Sequence, residues 1–219
     1  MSLQKLIFVT ITCLFIEQLS AQRNYDEYNR MGLFGGLTLF DINTSDFVTE
    51  QGTGFAAGFT TRGSFRNNFD LIYGISFYST SLGIEGSTAL GTDTQNISYS
   101  MSAAQVTFLG SYNIVKHHLS LEFGPVLQIN SKMNLDSETR EDYVLTGYNT
   151  LTAKDVQDIS KVNFHVVGGI TAGIESFRVF AQYQYGVTNT LNKLNDKNLE
   201  KDDFEGHSST ITLGALFYF

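Results

Sequence analysis

What most limits the folds open to this chain is an alternation of apolar and polar residues with a period of two. It recurs segment after segment from Met31 to the last residue. Successive side chains of a strand point to opposite faces, so this pattern marks a strand with one apolar and one polar side. The segments run over about 31–42, 53–62, 68–79, 98–114, 119–131, 161–174, 177–188 and 210–219. In the third, Phe69, Leu71, Tyr73, Ile75 and Phe77 oppose Asp70, Gly74 and Ser76. In the seventh, Val179, Ala181, Tyr183, Tyr185 and Val187 oppose Arg178, Gln182, Gln184 and Thr188. In the fourth, the apolar phase changes near Gln105, from Tyr99, Met101 and Ala103 to Val106, Phe108 and Tyr112. One extra residue at a β-bulge would do this, and the sequence predicts a bulge there.

The connections alternate in length. Residues 43–52, 80–97, 132–160 and 189–206 are the longer ones, and 63–67, 115–118 and 175–176 the shorter. The four longer ones hold 15 acidic residues against 6 basic ones, a net of −9 within a chain of net −8. Arg66, Lys116, His117 and His118 lie in the short turns. Barrels of bacterial outer membranes have short turns on the periplasmic side and longer loops outside. The expected fold is therefore all-β: an eight-stranded antiparallel up-and-down transmembrane β-barrel with acidic extracellular loops. Lys132–Ser160, which mixes acidic residues with Tyr143, Leu145, Tyr148 and Leu151, is expected outside as the main recognition segment or as an extension of the fifth and sixth strands, and the acidic runs 136–142 and 196–205 read as solvated loops. A soluble lipocalin-like barrel would also alternate, but with its aromatics inside around a ligand.

The terminal strand fits the membrane reading. Ile211, Leu213, Ala215, Phe217 and Phe219 share one face, with Thr210, Thr212, Gly214, Leu216 and Tyr218 on the other. Phe217 and Phe219 read as an assembly signal, with the final aromatic in the interfacial girdle. Tyr73, Phe77, Tyr112, Phe123, Tyr183 and Tyr185 read as girdle or lipid-facing residues too.

At the other end, Lys5 precedes an apolar run from Leu6 to Ile16, and Leu19-Ser20-Ala21 offers small residues for cleavage before Gln22. That is the pattern of a secretory signal, too short to span a bilayer as a helix. The expected division is a signal peptide at 1–21, a short periplasmic segment at 22–30 and the barrel at 31–219. The one cysteine, Cys13, falls inside the apolar run, so the mature chain would have no thiol chemistry. An acidic chain is a poor partner for nucleic acid, whose phosphates need a basic face.

Several segments resemble the PorT-like outer-membrane β-barrel family, also described as OmpA-like. They are the glycine-rich Met31–Phe40, the Gly124-Pro125 strand Leu119–Gln128, Phe177–Gly186, and the terminal Leu213–Phe219. The resemblance implies an outer-membrane location, outer-membrane lipid and the barrel assembly machinery as partners, and other envelope proteins as further ones. It brings no catalytic residue.

The polar residues offer three constellations with potential for chemistry. Glu205, His207 and Ser209 would share one face of a strand as an acid–base–hydroxyl row similar to the His-x-Ser of lipid A deacylases. No acidic residue follows Ser209, and a polar strand start is the plainer reading. His117 and His118 lack the further ligands a zinc site needs. The acidic runs 136–142 and 196–205 lack the spacing of a calcium loop. The candidates for function are Arg62, Asp70, Glu122, His165, Arg178 and Gln182, read as a polar network in the lumen. Eight strands leave room for side chains rather than a wide channel. The sequence thus predicts no enzyme, no metal and no cofactor. It predicts a structural or surface-binding barrel, with a secretion or translocation component, or a narrow pore of the porin kind, as the alternatives.

Overall fold

A computed structural model of the chain describes residues 29–88 and 94–219. The expected signal peptide and most of the expected periplasmic segment fall outside these residues. Asn29 and Arg30 already belong to the first strand. The strands are β1 (Asn29–Thr44), β2 (Thr49–Arg66), β3 (Phe69–Ser87), β4 (Gln95–Val115), β5 (Leu119–Asn130), β6 (Asn134–Leu135), β7 (Val144–Leu145), β8 (Val162–Gly173), β9 (Phe177–Gly186) and β10 (Gly206–Tyr218). Leaving aside the short β6 and β7, each strand pairs antiparallel with the next one along the chain. The ring closes where β1 pairs with β10, from Gly32 opposite Tyr218 to Thr44 opposite Gly206. The fold is an all-β, eight-stranded antiparallel barrel.

Short turns define the lower end. Asn67 and His117 both take positive φ there, 53° and 63°, a conformation that asparagine and histidine tolerate better than most residues. His118 Nδ1 lies 2.8 Å from the carbonyl oxygen of Gly173, which ties one turn to its neighbouring strand. In β5, Gly124 lets the sheet close up, since a side chain there would run into the Phe108 carbonyl and Leu109.

Along the lower and middle barrel the outward face is apolar and the inward face polar. Leu33, Leu37, Phe59, Tyr73, Phe108, Phe123, Val179 and Leu213 point outward, while Thr60, Arg62, Asp70, Ser111, Glu122, Arg178 and Thr212 are buried inside. The outward apolar run from Phe69 to Phe77 is roughly 27 Å long at about 3.4 Å per residue. A strand tilt of about 40° shortens it to roughly 21 Å along the barrel axis, comparable to the ~25 Å apolar band of membrane barrels.

Further up, the faces exchange character. On β4 the outward residues become Ser102, Ser100 and Ser98, while Ala103, Met101, Tyr99 and Ile97 turn inward and are buried. On β3 the outward side passes from Phe77 to Ser79 and Ser81 as Leu82 and Ile84 fill the inside. This corrects the bulge expected near Gln105. The β3–β4 ladder runs without interruption from Phe69 opposite Tyr112 to Gly86 opposite Gln95. The register shift that β4 does have lies lower, between Asn113 and Val115. The change of phase near Gln105 is a change of surroundings at constant register: the apolar residues face outward below it and into a protein core above it.

The acidic runs 136–142 and 196–205, expected as solvated loops, lie in connections that are folded. Strands β3 and β4 extend well into what reads as a loop at 80–97. The segment 132–160 pairs its β6 with Tyr99–Ser100 and its β7 with Gly86–Ser87, and carries 3-10 turns at Glu138–Arg140 and Asp155–Gln157. Met133, Leu145, Leu151, Ala153, Val156 and Ile159 from this segment join Phe47, Ile97, Tyr99, Leu191, Leu194 and Phe204 in one apolar core. Burying apolar side chains is the main favourable term in folding, so these connections make a structured cap on the barrel's upper end.

Candidate functional site

Two features stand out: a charged network low in the lumen and the cap above it. Arg62, 1% exposed on β2, is the hub of the network. Its Nη1 donates to Asp70 Oδ2 at 3.1 Å and Ser111 Oγ at 2.9 Å, its Nε donates to Tyr218 Oη at 3.0 Å, and its Nη2 donates to Glu122. Gln182 Nε2 holds the other Glu122 oxygen at 3.2 Å, and Asn113 Nδ2 donates to Asp70 at 3.0 Å. Two buried carboxylates thus share one guanidinium, and a further hydrogen bond reaches each of them, which helps offset the cost of burying the charges. Arg178 stands beside the hub: its Nη1 reaches Ser120 Oγ at 3.3 Å, and the tip carbon Cζ of each arginine lies 5.9 Å from the centre of the Tyr218 ring.

Of the residues singled out from the sequence, Arg62, Asp70, Glu122 and Gln182 meet directly. Arg178 adjoins them through Ser120. His165 sits apart, higher in the wall, with Nε2 2.8 Å from Ser208 Oγ. Charge alone missed Tyr218, Ser111, Asn113 and Ser120, and a middle tier in which Gln105 Nε2 donates to Gln128 Oε1 at 2.5 Å and Gln184 Nε2 to the same oxygen at 3.3 Å. All of them occupy inward-facing positions, so strand parity was the signal that would have found them.

The acid–base–hydroxyl row on β10 does not assemble. The two ring nitrogens of His207 face the Gly186 carbonyl oxygen at 2.9 Å and Glu205 Oε1 at 3.4 Å, and the ring stacks on Tyr185, leaving no nitrogen for Ser209. Among the described residues, no group of His, Cys, Asp and Glu is placed to hold a metal ion.

Charged contacts weld the cap's segments together. Glu200 accepts hydrogen bonds from the backbone N–H of Asn149 and Thr150 at 2.9 and 2.7 Å and from the Thr150 hydroxyl at 3.0 Å. The Thr150 N–H leads in holding the Glu200 carboxyl down at about 2. Asp158 lies between Lys132 and Lys197, at 2.7 and 2.8 Å, and their hydrogen bonds lower its pKa to about 2. Lys201 bridges Asp46 and Asp203. The cap joins the connections after β1, β5 and β9 into one unit.

The comparisons with known proteins point to the same architecture, a β-barrel of the outer membrane. Residues 18–192 match the family model described as Outer membrane protein beta-barrel domain. The chain belongs to that family. Among solved structures, the attachment invasion locus protein Ail of Yersinia pestis, crystallised with the heparin analogue sucrose octasulfate, is 17% identical, with 87% of this chain and 99% of that one covered and a TM-score of 0.48. Neisserial surface protein A is 9% identical, with coverage of 86% and 97% and a TM-score of 0.49. The outer membrane protein OprG of Pseudomonas aeruginosa is 9% identical, with coverage of 88% and 97% and a TM-score of 0.47. No curated protein matches.

Proposed function

We infer that this family member spans the outer membrane of a Gram-negative bacterium with its short turns in the periplasm. In this reading it presents the cap as an extracellular recognition surface and works neither as an enzyme nor as an open pore. The observation that carries the reading is the apolar core at the upper end. Phe47, Tyr99, Leu145, Leu194 and Phe204 fill the space where a channel would open, and a second closure by Arg62, Asp70 and Glu122 lies below. A pore would have no use for an apolar cap welded by Glu200 and Asp158, whereas a recognition surface gains from being pre-ordered, because less freedom is lost on binding.

Conductance of the purified protein in planar bilayers tests this. The expected trace is flat for the wild type; steady ion-selective steps would overturn the closed reading.

A second reading rests on the resemblance to PorT-like barrels, carried by the Gly124-Pro125 strand and the terminal strand. In it, the cap docks a component of a secretion or translocation apparatus. Co-purification from detergent-solubilised outer membranes separates the two: a stoichiometric envelope partner supports the apparatus, and its absence supports surface recognition.

A further inference from the structure

Two lower turns stand side by side. The backbone N–H of Asn113 donates to the Asn68 carbonyl oxygen at 2.7 Å, which holds the turn after β2 against the end of β4 and the turn that follows it. Arg66 lies opposite Phe69, and Phe69 opposite Tyr112, so the three follow one another across β2, β3 and β4. The rings of Phe69 and Tyr112 meet at 5.2 Å and face outward. Ile114 and Val115 carry the exposed apolar face down to Lys116, and Arg66 and Lys116 are exposed themselves.

Depth separates the rings from the two cations. Phe69 and Tyr112 each lie ten residues below the point where the outward face of their strand turns polar, Ser79 on β3 and Ser102 on β4. At about 3.4 Å per residue and a tilt of about 40°, that is roughly 26 Å, the lower edge of the apolar band. Aromatic residues favour such an edge. Arg66 ends β2 and Lys116 follows β4, so both lie beyond it, at the depth of lipid headgroups. The carboxylates at this end are engaged elsewhere: Glu175 lies 3.4 Å from Arg30, and Asp70 turns inward onto Arg62. The wall below the rings is therefore positive, whereas the long connections at the other end carry a net of −9.

We propose that this wall is a docking surface for anionic phospholipid in the periplasmic leaflet. The negatively charged headgroup lies against Arg66 and Lys116, and an acyl chain runs along Phe69, Tyr112 and Ile114. The proposal rests on the membrane-spanning reading above and adds the lipid class that the lower rim selects. A basic residue at an anionic lipid surface favours the anionic species about fivefold, so two together give about 25-fold.

The chain has no tryptophan, so the full mature barrel with Phe69→Trp carries a single fluorescent reporter. It is reconstituted in mixed vesicles of phosphatidylglycerol and phosphatidylcholine, with brominated, quenching chains on one lipid or the other. Expected is a preference for phosphatidylglycerol of about 5- to 25-fold at this reporter. It should drop to about twofold or less when Arg66→Gln and Lys116→Gln are added, and be absent at Phe177→Trp on the opposite wall, close to the Arg30–Glu175 pair. Ile114→Trp takes the place of Phe69→Trp if the latter fails to fold, as judged by heat-modifiable mobility. Equal quenching by the two lipids, a preference that survives both glutamine substitutions, or the same preference at Phe177→Trp would overturn the docking surface and leave the membrane-spanning reading standing. No quenching by either lipid would overturn both.

Discussion

The exchange of faces along the barrel predicts how the cost of a charge depends on depth. Leu213, 57% exposed, points outward from β10 between Leu37 of β1 and Ala181 of β9. Ser209, four residues on toward the cap, is where the outward face of β10 turns polar. At about 3.4 Å per residue and a tilt of about 40°, Leu213 lies roughly 10 Å below that boundary, close to the middle of a ~25 Å band. Leu213→Arg should therefore cost about 2–4 kcal/mol of stability in a bilayer, and the cost should shrink through Ile211→Arg to about 0–1 kcal/mol at Ser209→Arg. For Leu213→Arg this is a drop of about 30- to 700-fold in the folded-to-unfolded ratio, at tenfold per 1.4 kcal/mol. Denaturant titration in lipid vesicles, followed by the mobility shift of the folded barrel on unheated gels, measures each variant. A flat profile along the three positions, or a Leu213→Arg barrel as stable as the wild type, would refute the placement of the band.

Other outcomes follow from the same geometry. Arg62→Met should destabilise the barrel by about 3–5 kcal/mol by leaving two buried carboxylates without their cation, measured by the same titration. Because the Glu200 pKa is depressed to about 2 from 4.5, its contribution is complete above about 4.5 and lost as pH falls through 2. Amide protection factors at Thr150 and Leu151 should thus hold from pH 7 to 5 and fall only below about 4.5, while Glu200→Gln should lower them at neutral pH; unchanged protection in the variant would contradict the clamp. Phe219 exchanges backbone hydrogen bonds with Met31, at 2.8 and 3.4 Å, across the closing seam. Deleting it should reduce the yield of heat-modifiable barrel in the outer-membrane fraction. The intact mass of the mature protein should correspond to an amino terminus at Gln22.

The lower and middle barrel was legible in the sequence because each strand there faces two uniform surroundings, so parity alone assigns Leu213 outward and Thr212 inward. The alternation of long and short connections placed the longer ones, with most of the charge, at one end of the barrel. The cap was not legible in the same way. Its apolar residues, such as Leu151, Val156, Leu194 and Phe204, lie in short irregular stretches with no period, and they converge only through β6, β7 and the Glu200 clamp, contacts far apart along the chain. The phase change near Gln105 is a real signal whose cause is not the bulge that the sequence predicts. A bulge shifts parity at a fixed environment, whereas here the environment shifts at a fixed parity, and one strand's sequence cannot separate the two. In the lumen, charged residues advertised Arg62, Asp70 and Glu122, but the neutral partners that complete their hydrogen bonds were hidden among ordinary serines and a tyrosine one residue away from Phe217 and Phe219.

The central claim is a barrel across the outer membrane with its cap outside and its short turns inside. The mature chain would have no cysteine once residues 1–21 are removed, so single cysteines report topology cleanly. Asp202→Cys lies on an exposed part of the cap and Lys116→Cys in an exposed lower turn. With a membrane-impermeant maleimide on intact cells, the account predicts labelling at position 202 and none at 116 until the outer membrane is opened. Labelling at 116 with 202 protected would invert the barrel, and equal labelling of both on intact cells would contradict a membrane-spanning barrel.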